Sequence, residues 1–311
     1  MTILISSSCM DSTTDHVMDW IYSIEKDAKI IRINDDQDYS LSFEYNDIAI
    51  TYGDNQKVFL NQIDSFWYRR GRIRYHFDGN TSFADLREEE TKVLEEYVHY
   101  KLAQKRTIND YFHSNVNKLI VLEEAQKAGL AIPETYLLEN KKDVTKALAS
   151  SALITKNYLA AAGFDFDDCS GVIFTVAVQE DDMAHDTFSP SLFQHNIEKK
   201  IEIRSFYFRG KIWSMAIFSQ DTEETKTDFR IYNKVNPNKN IPFQLPTDIA
   251  QKVDRLMKKI NLDCGSIDFI LTKNNEYVFL EVNPVGQFGM VSSPCNYNIE
   301  KEIAKYLCYE D

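Results

Sequence analysis

The sequence predicts an α+β protein, and three observations carry that reading. A short α/β opening is followed by a second half built of paired strands with few helices, the pattern of antiparallel sheets. At 311 residues the chain exceeds one comfortable hydrophobic core, so two or three units sharing a cleft are expected. Hydrophobic content of 43% with 19 Phe and 17 Tyr is ample for globular folding.

The opening reads as strand Thr2–Ser7, helix Asp15–Glu25 and strand Lys29–Ile33, the size of one βαβ unit. Alternating stretches Tyr39–Tyr45 and Asp47–Tyr52 make a hairpin, and Ile63–Tyr68 is a further strand. Ser82 and Asp85 form a capping box for a long helix ending near Ala103, with acids in its first turns and Lys101 near its end, as the helix dipole favours. A helix over Val116–Ala128 stops at Gly129, with Pro133 beyond it, and a boundary falls near residue 115. The second half offers strands Ala152–Asn157, Gly171–Val178, Glu202–Phe208, Lys211–Ser219, Ser266–Thr272 and Glu276–Val282. Helices fall at about Asp143–Ser150, Thr247–Ile260 and Ile299–Tyr306.

A net charge of −13 argues against a general nucleic-acid or anionic-membrane binder, and no apolar run approaches the roughly 20 residues needed to span a bilayer. Met1–Ser8 lacks a basic n-region, so no signal peptide is expected. Five scattered cysteines without C-x-x-C spacing read as reduced thiols in a cytoplasmic protein. The absence of G-x-x-x-x-G-K-[ST] excludes a P-loop enzyme.

The most informative stretch runs from Ser266 to Pro284. Asn274–Asn275 suits a two-residue hairpin turn, because Asn tolerates positive φ. Folding there sets Asp268 opposite Glu281, with Ile267, Phe269 and Leu271 opposite Val282, Leu280 and Val278 on the apolar face. Opposed acids about 5 Å apart at Cβ are destabilising unless compensated. With Asn283 two residues on, they form an oxygen-only set suited to Mg²⁺, against the alternative of a solvated hairpin face.

Asp268 followed by Glu281-Val-Asn283-Pro284 resembles the metal-binding end of the ATP-grasp ligases, and the match extends over about 170 residues. Lys118 resembles the family's entry lysine for phosphate, and Lys156, at a strand end, its second nucleotide lysine. Phe193 to Ile197, with Gln194, His195 and Asn196 between, resembles the adenine linker; Glu202 resembles the ribose acid, with Arg204 following for phosphate or substrate. Thr227-Asp228-Phe229-Arg230 resembles the D-F-R element of the RimK-like branch. The resemblance implies an ATP-grasp fold, two α+β subdomains clasping ATP behind a small α/β N-terminal domain, divided at 1–115, 116–190 (lid) and 191–311. It also implies ATP and Mg²⁺ as cofactors. One glycine in Ala160-Ala161-Ala162-Gly163, His195 at the hinge and Asn233 three residues after Arg230 depart from the family pattern.

Phosphoryl transfer explains the parts. A carboxylate is a poor nucleophile toward an anionic triphosphate, so charge must be neutralised and the reactants positioned. Lys118, Lys156 and Arg230 are placed to supply positive charge, and Asp228 to orient the nucleophile or accept its proton, against a structural Asp–Arg pair.

Trp67-Tyr68-Arg69-Arg70-Gly71 resembles the graspetide synthetases, with an edge strand blunted by cations as the plain alternative. Membership implies a macrocyclase that activates Asp or Glu side chains of a ribosomally made precursor peptide and joins them to Ser/Thr as esters or to Lys as amides. A homodimer is implied too. Arg69, Arg70, Arg72, Arg74, Arg204, Arg209, Lys211 and Arg230 are available for a local positive field toward an acidic core peptide, and Glu180–Asp182 lies where leader docking is sought. A RimK-like ligase adding free amino acids and a non-catalytic nucleotide-binding module stay open as alternatives.

Overall fold

The computed structural model describes residues 1–37, 39–44, 46–71, 73, 84–158, 163–166, 169–172, 175–218 and 239–309. The chain divides into two compact units. One holds residues 1–114, 287–292 and 297–311; the other holds residues 115–286 and 293–296.

The first unit begins with β1 (Thr2–Ser7), α1 (Ser12–Ile24), β2 (Lys29–Asn34), β3 (Tyr39–Glu44), β4 (Asp47–Tyr52), β5 (Gln56–Phe59), β6 (Ser65–Tyr68), α2 (Ala84–Ala103) and β7 (Arg106–Ile108). Its main sheet runs β2-β1-β6-β7, parallel throughout, which suits the unbroken apolar run Ile3–Ile5. β3, β4 and β5 form an antiparallel meander. Leu4, Ile31, Ile50, Val58, Phe66, Val98 and Leu102 join sheet, meander and α2 in one core. Helix α1 starts earlier than the sequence pattern predicts, because Asp11 caps it, accepting from Thr13 N at 3.1 Å. The predicted capping box at Ser82 and Asp85 lies outside the described residues, Asp85 as regards its side chain.

The Trp67–Gly71 segment is not on an edge, since β6 lies between β1 and β7. Arg69, 2% exposed, forms an ion pair with Asp11 Oδ2 at 2.9 Å and lies over the rings of Trp67 and Phe288. Arg70 forms an ion pair with the same oxygen at 2.8 Å. Gly71 has φ +77, and a Cβ there would sit 3.0 Å from Ser7 O, so the turn after β6 needs glycine. Two of the arginines offered to a positive field are thus committed to one buried carboxylate; Arg72 and Arg74 lie outside the described residues.

The second unit contains α3 (Lys118–Lys127), β8 (Thr135–Asn140), α4 (Lys141–Leu148), β9 (Leu153–Thr155), β10 (Gly163–Phe166), β11 (Cys169–Val172), β12 (Val176–Ala177), β13 (Thr187–His195), β14 (Lys199–Phe208), β15 (Lys211–Phe218), β16 (Lys239–Phe243), α5 (Thr247–Lys259), β17 (Cys264–Thr272) and β18 (Tyr277–Asn283). Helices α6 (Gly289–Cys295) and α7 (Ile299–Cys308) follow, and α7 packs on α1 within the first unit. Ser65 Oγ donates to Leu307 O at 2.9 Å, tying the C-terminal helix to β6.

Two antiparallel sheets dominate the second unit, β12-β9-β13-β8 and β16-β15-β14-β17-β18, with β10-β11 as a separate hairpin. Val121 and Leu122 of α3, and Val253, Leu256 and Met257 of α5, cover one face of the larger sheet against Ile201, Ile203, Ile267, Phe269 and Phe279. Burying each such side chain is worth about 1.5–3 kcal/mol, so this layer fixes the sheet whose other face carries charge. The predicted strand Gly171–Val178 is broken into β11 and β12, and β5, β7, β8, β10, β13 and β16 are strands beyond those predicted. Among the described residues no helix is long and apolar enough to cross a membrane.

Candidate active site

Asp268 and Glu281 are cross-strand partners in β17 and β18, as the sequence predicts. The turn differs. Thr272 N bonds Glu276 O at 2.9 Å, closing a three-residue loop with Asn275 at φ +63. That loop moves the near register by one, so Phe269 faces Phe279 and Leu271 faces Tyr277, rather than Leu280 and Val278. A β-bulge between Asp268 and Phe269 restores the register, leaving Leu280 as the extra residue. Both Leu280 and Glu281 therefore line the cleft, while Phe279 and Val282 stay in the core.

The acids are compensated by cations. Lys118 Nζ lies 3.1 Å from Glu281 Oε2 and also donates to Asn157 O at 3.3 Å. Lys156 Nζ reaches the same carboxylate oxygen at 3.9 Å. Arg204, paired with Asp268 across β14 and β17, sends Nη1 to both carboxylate oxygens at 3.0 and 3.1 Å. Asn117 positions Lys118 by capping α3, accepting from Leu119 N and Ile120 N. Asn283 is the partner of Ser266, and its Oδ1 accepts from Val285 N at 3.1 Å and Gly286 N at 3.4 Å, closing the turn after β18. It is not among the residues lining the cleft.

The cleft's empty space, counting the part open to solvent, is about 810 Å³. Lys156, Gln194, His195, Asn196, Ile197, Glu202, Arg204, Asp268 and Glu281 all line it. Gln194 and His195 end β13, held between β8 and β9; His195 N bonds Glu134 O at 3.0 Å and Asn196 N bonds Ala152 O at 2.8 Å. The Gln194 side chain is buried, donating to Thr135 Oγ1 at 2.9 Å, while its Oε1 has no hydrogen-bond partner among the described residues. His195 Nδ1 lies 3.3 Å from Glu134 Oε2, and its Nε2 contacts Tyr136 Oη at 3.2 Å. Asp228, Arg230 and Asn233 fall outside the described residues, as do Ala160 to Ala162 of the lid segment.

Sequence reasoning missed Lys199. It lines the cleft, is 9% exposed, and its Nζ bonds Glu202 Oε1. Strand alternation puts Lys199 and Glu202 on opposite faces, yet a bulge at Lys200 brings them together. Only the run of two lysines before an acid in an otherwise apolar strand signalled it.

Among the described residues no group of three or more His, Cys, Asp or Glu side chains is placed to hold a metal ion. Two carboxylates in register beside three cations are nonetheless an apt donor set for a hard cation shared with phosphates. Such a cation needs only one or two protein carboxylates when phosphate and water complete its shell.

No family model and no curated protein sequence matches this chain. Solved structures do. A Chryseobacterium gregarium RiPP-associated ATP-grasp ligase, in complex with ADP and a leader and core peptide, is 25% identical; 99% of this chain and 96% of that one are covered, with TM-score 0.82. The macrocyclase MdnC of Microcystis aeruginosa MRC, bound with precursor peptide MdnA, is 28% identical, with 99% of each chain covered and TM-score 0.81. D-alanyl-alanine synthetase A of Vibrio cholerae, at 12% identity and TM-score 0.62 over 99% and 97% of the two chains, shares the fold alone.

Proposed function

From the premise that this chain is an ATP-grasp ligase by fold, we propose that it is a graspetide synthetase acting on a ribosomally made precursor peptide. It activates Asp or Glu side chains with ATP and joins them to Ser/Thr as esters or to Lys as amides, releasing ADP. The carrying observation is the Asp268–Glu281 pair, in register at a cleft and bracketed by Lys118, Lys156 and Arg204.

Magnesium-bound ATP supplies the phosphoryl group that turns a carboxylate into an acyl phosphate. Asp268 and Glu281 would hold the metal, and Asn283, on the same strand as Glu281, would be available as a third oxygen. Lys118 and Lys156 move from Glu281 to the phosphates, which are stronger anions. Gln194 to Ile197 receive the adenine and Glu202 the ribose. Arg204 holds Asp268 in place beside the reacting groups, and Arg230 takes the incoming carboxylate. Asp228 accepts the proton of the attacking hydroxyl; this role favours esters, because an amine must first lose a proton at a pKa near 10.4. Residues 116–190 serve as lid over a 191–311 catalytic subdomain, behind an N-terminal domain of 1–115.

The enzyme works in the cytoplasm as a homodimer. Leu86, Val93, Tyr97 and Tyr100, exposed along one face of α2, give a contact surface for a second copy, with Val98 and Leu102 buried on the other side of the helix.

Mass spectrometry of the precursor after co-expression tests the reading. Each ring removes one water from the peptide and consumes one ATP, and mild base restores the water if the link is an ester. A product heavier by one residue per cycle belongs to a RimK-like amino-acid ligase and refutes the proposal.

A further inference from the structure

We infer that Lys199 is a positioning residue for nucleotide, holding Glu202 so that this chain selects ribonucleotides over 2′-deoxyribonucleotides. The inference rests on the assignment of Glu202 to ribose.

Three observations carry it. Lys199 and Glu202 are 9% and 7% exposed, among the few charged residues buried in this unit, and both line the cleft beside Gln194 to Ile197. They are bonded, Nζ to Oε1. And the strand breaks its alternation to bring them together: Lys199 pairs with Thr272, Ile201 with Leu271, and Lys200 is the extra residue, exposed to solvent. A bulge is a local irregularity that disrupts the ladder, so its placement between the lysine and the acid, two residues before Glu202, serves the pair rather than the sheet.

The chemistry follows from burial. A carboxyl removed from water favours its neutral form, and a neighbouring ammonium reverses that preference. An ionised Glu202 is an acceptor only, able to take hydroxyl hydrogens from a ribose; a protonated one carries a donor and accepts weakly. Bonds from neutral donors to a carboxylate are roughly twice as strong as neutral pairs. Lys199 thus places a positive charge beside Glu202 and fixes its rotamer.

Calorimetry with Mg-ADP and Mg-2′-deoxy-ADP, which needs no peptide substrate, tests this. Wild-type protein should prefer ADP by roughly tenfold, the worth of one charge-assisted hydrogen bond. Lys199→Met should weaken ADP and bring the ratio close to one, and Lys199→Arg should restore most of it. Because Lys199→Met takes the ammonium away from a buried carboxyl, the neutral double variant Lys199→Met/Glu202→Gln is the folded control, with its melting temperature measured alongside; it should also show a ratio near one. If Lys199→Met or the double variant keeps the wild-type ratio, or Lys199→Met weakens both nucleotides equally, the inference is overturned. Glu202→Gln separates the two levels. An unchanged ratio there removes the ribose assignment itself, whereas a collapsed ratio with Lys199→Met unaffected removes only the role of Lys199.

Discussion

Lys118 Nζ sits 3.1 Å from Glu281 Oε2, so a lysine assigned to phosphate and an acid assigned to metal are partnered with each other. Lys156 approaches the same oxygen. Under those assignments metal and nucleotide would each displace the other's protein contact, which would couple their binding. Glu281→Gln should abolish ADP release with the peptide substrate by orders of magnitude while the melting temperature stays close to wild type. In EDTA the same variant should bind ADP more tightly, by roughly tenfold, since one negative charge beside the phosphates is gone. Calorimetry with and without Mg²⁺ reads both signs, and unchanged metal-free affinity would break the coupling argument.

Arg204 is buried at 5% exposure and bonds both oxygens of Asp268. Arg204→Ala leaves that carboxylate without its guanidinium, and stability should fall by about 1–3 kcal/mol. Arg204→Lys should recover the charge but not the position of Nη1 between the two oxygens, so stability returns further than turnover does. Urea denaturation beside a turnover assay separates the two effects.

Asp11 gives the first unit an acid limb. Burial works to raise its carboxyl, but Arg69 and Arg70 outweigh it and hold it below the ordinary aspartate value. A depressed folded-state value means the stabilisation is full above the unfolded value of about 3.9 and is lost as pH falls through the folded one. Asp11→Asn should therefore lower stability at neutral pH and flatten the decline below about pH 4. Thermal melts from pH 7 to pH 3 check the slope; an equally steep acid limb in the variant contradicts it.

Gly286 has φ +54, and a Cβ built there meets Phe206 Cε2 at 2.8 Å and Ser266 N at 3.2 Å. Gly286→Ala should cost about 1–3 kcal/mol. It should also impair turnover, because Ser266 belongs to the strand that carries Asp268. A melting temperature equal to wild type would show that the turn has slack.

Much of this was legible in the sequence because strand periodicity is strict. Asp268 opposite Glu281 was read from alternation about a two-residue turn; the loop has three residues, and the bulge at Leu280 restores that pairing, so nine of the thirteen assigned site residues line one cleft. What alternation cannot carry is its own interruption. The loop after Thr272 reads as two residues because Asn274 and Asn275 both tolerate positive φ, yet only Asn275 adopts it. Lys199 was hidden by the bulge at Lys200. β8 and β13 do not show in the sequence pattern because exposed polar residues interrupt both, and Pro190 interrupts β13. Arg69 looked like a surface cation because its partner, Asp11, is 58 positions away in sequence, as 69 − 11 gives.

The two bulges at Lys200 and Leu280 flank the same strand, β17, from either side. A pleated strand is a two-phase signal in which adding one residue inverts everything beyond it. Here each insertion is confined: one by the loop between β17 and β18, the other by the start of β14. The apolar phase under the sheet continues unbroken while the cleft face gains a lysine on one side and a leucine on the other. Such sites are where a lineage can re-tune what a cleft holds without rewriting the core beneath it, and lengthening or shortening the chain by one residue there changes chemistry before it changes fold.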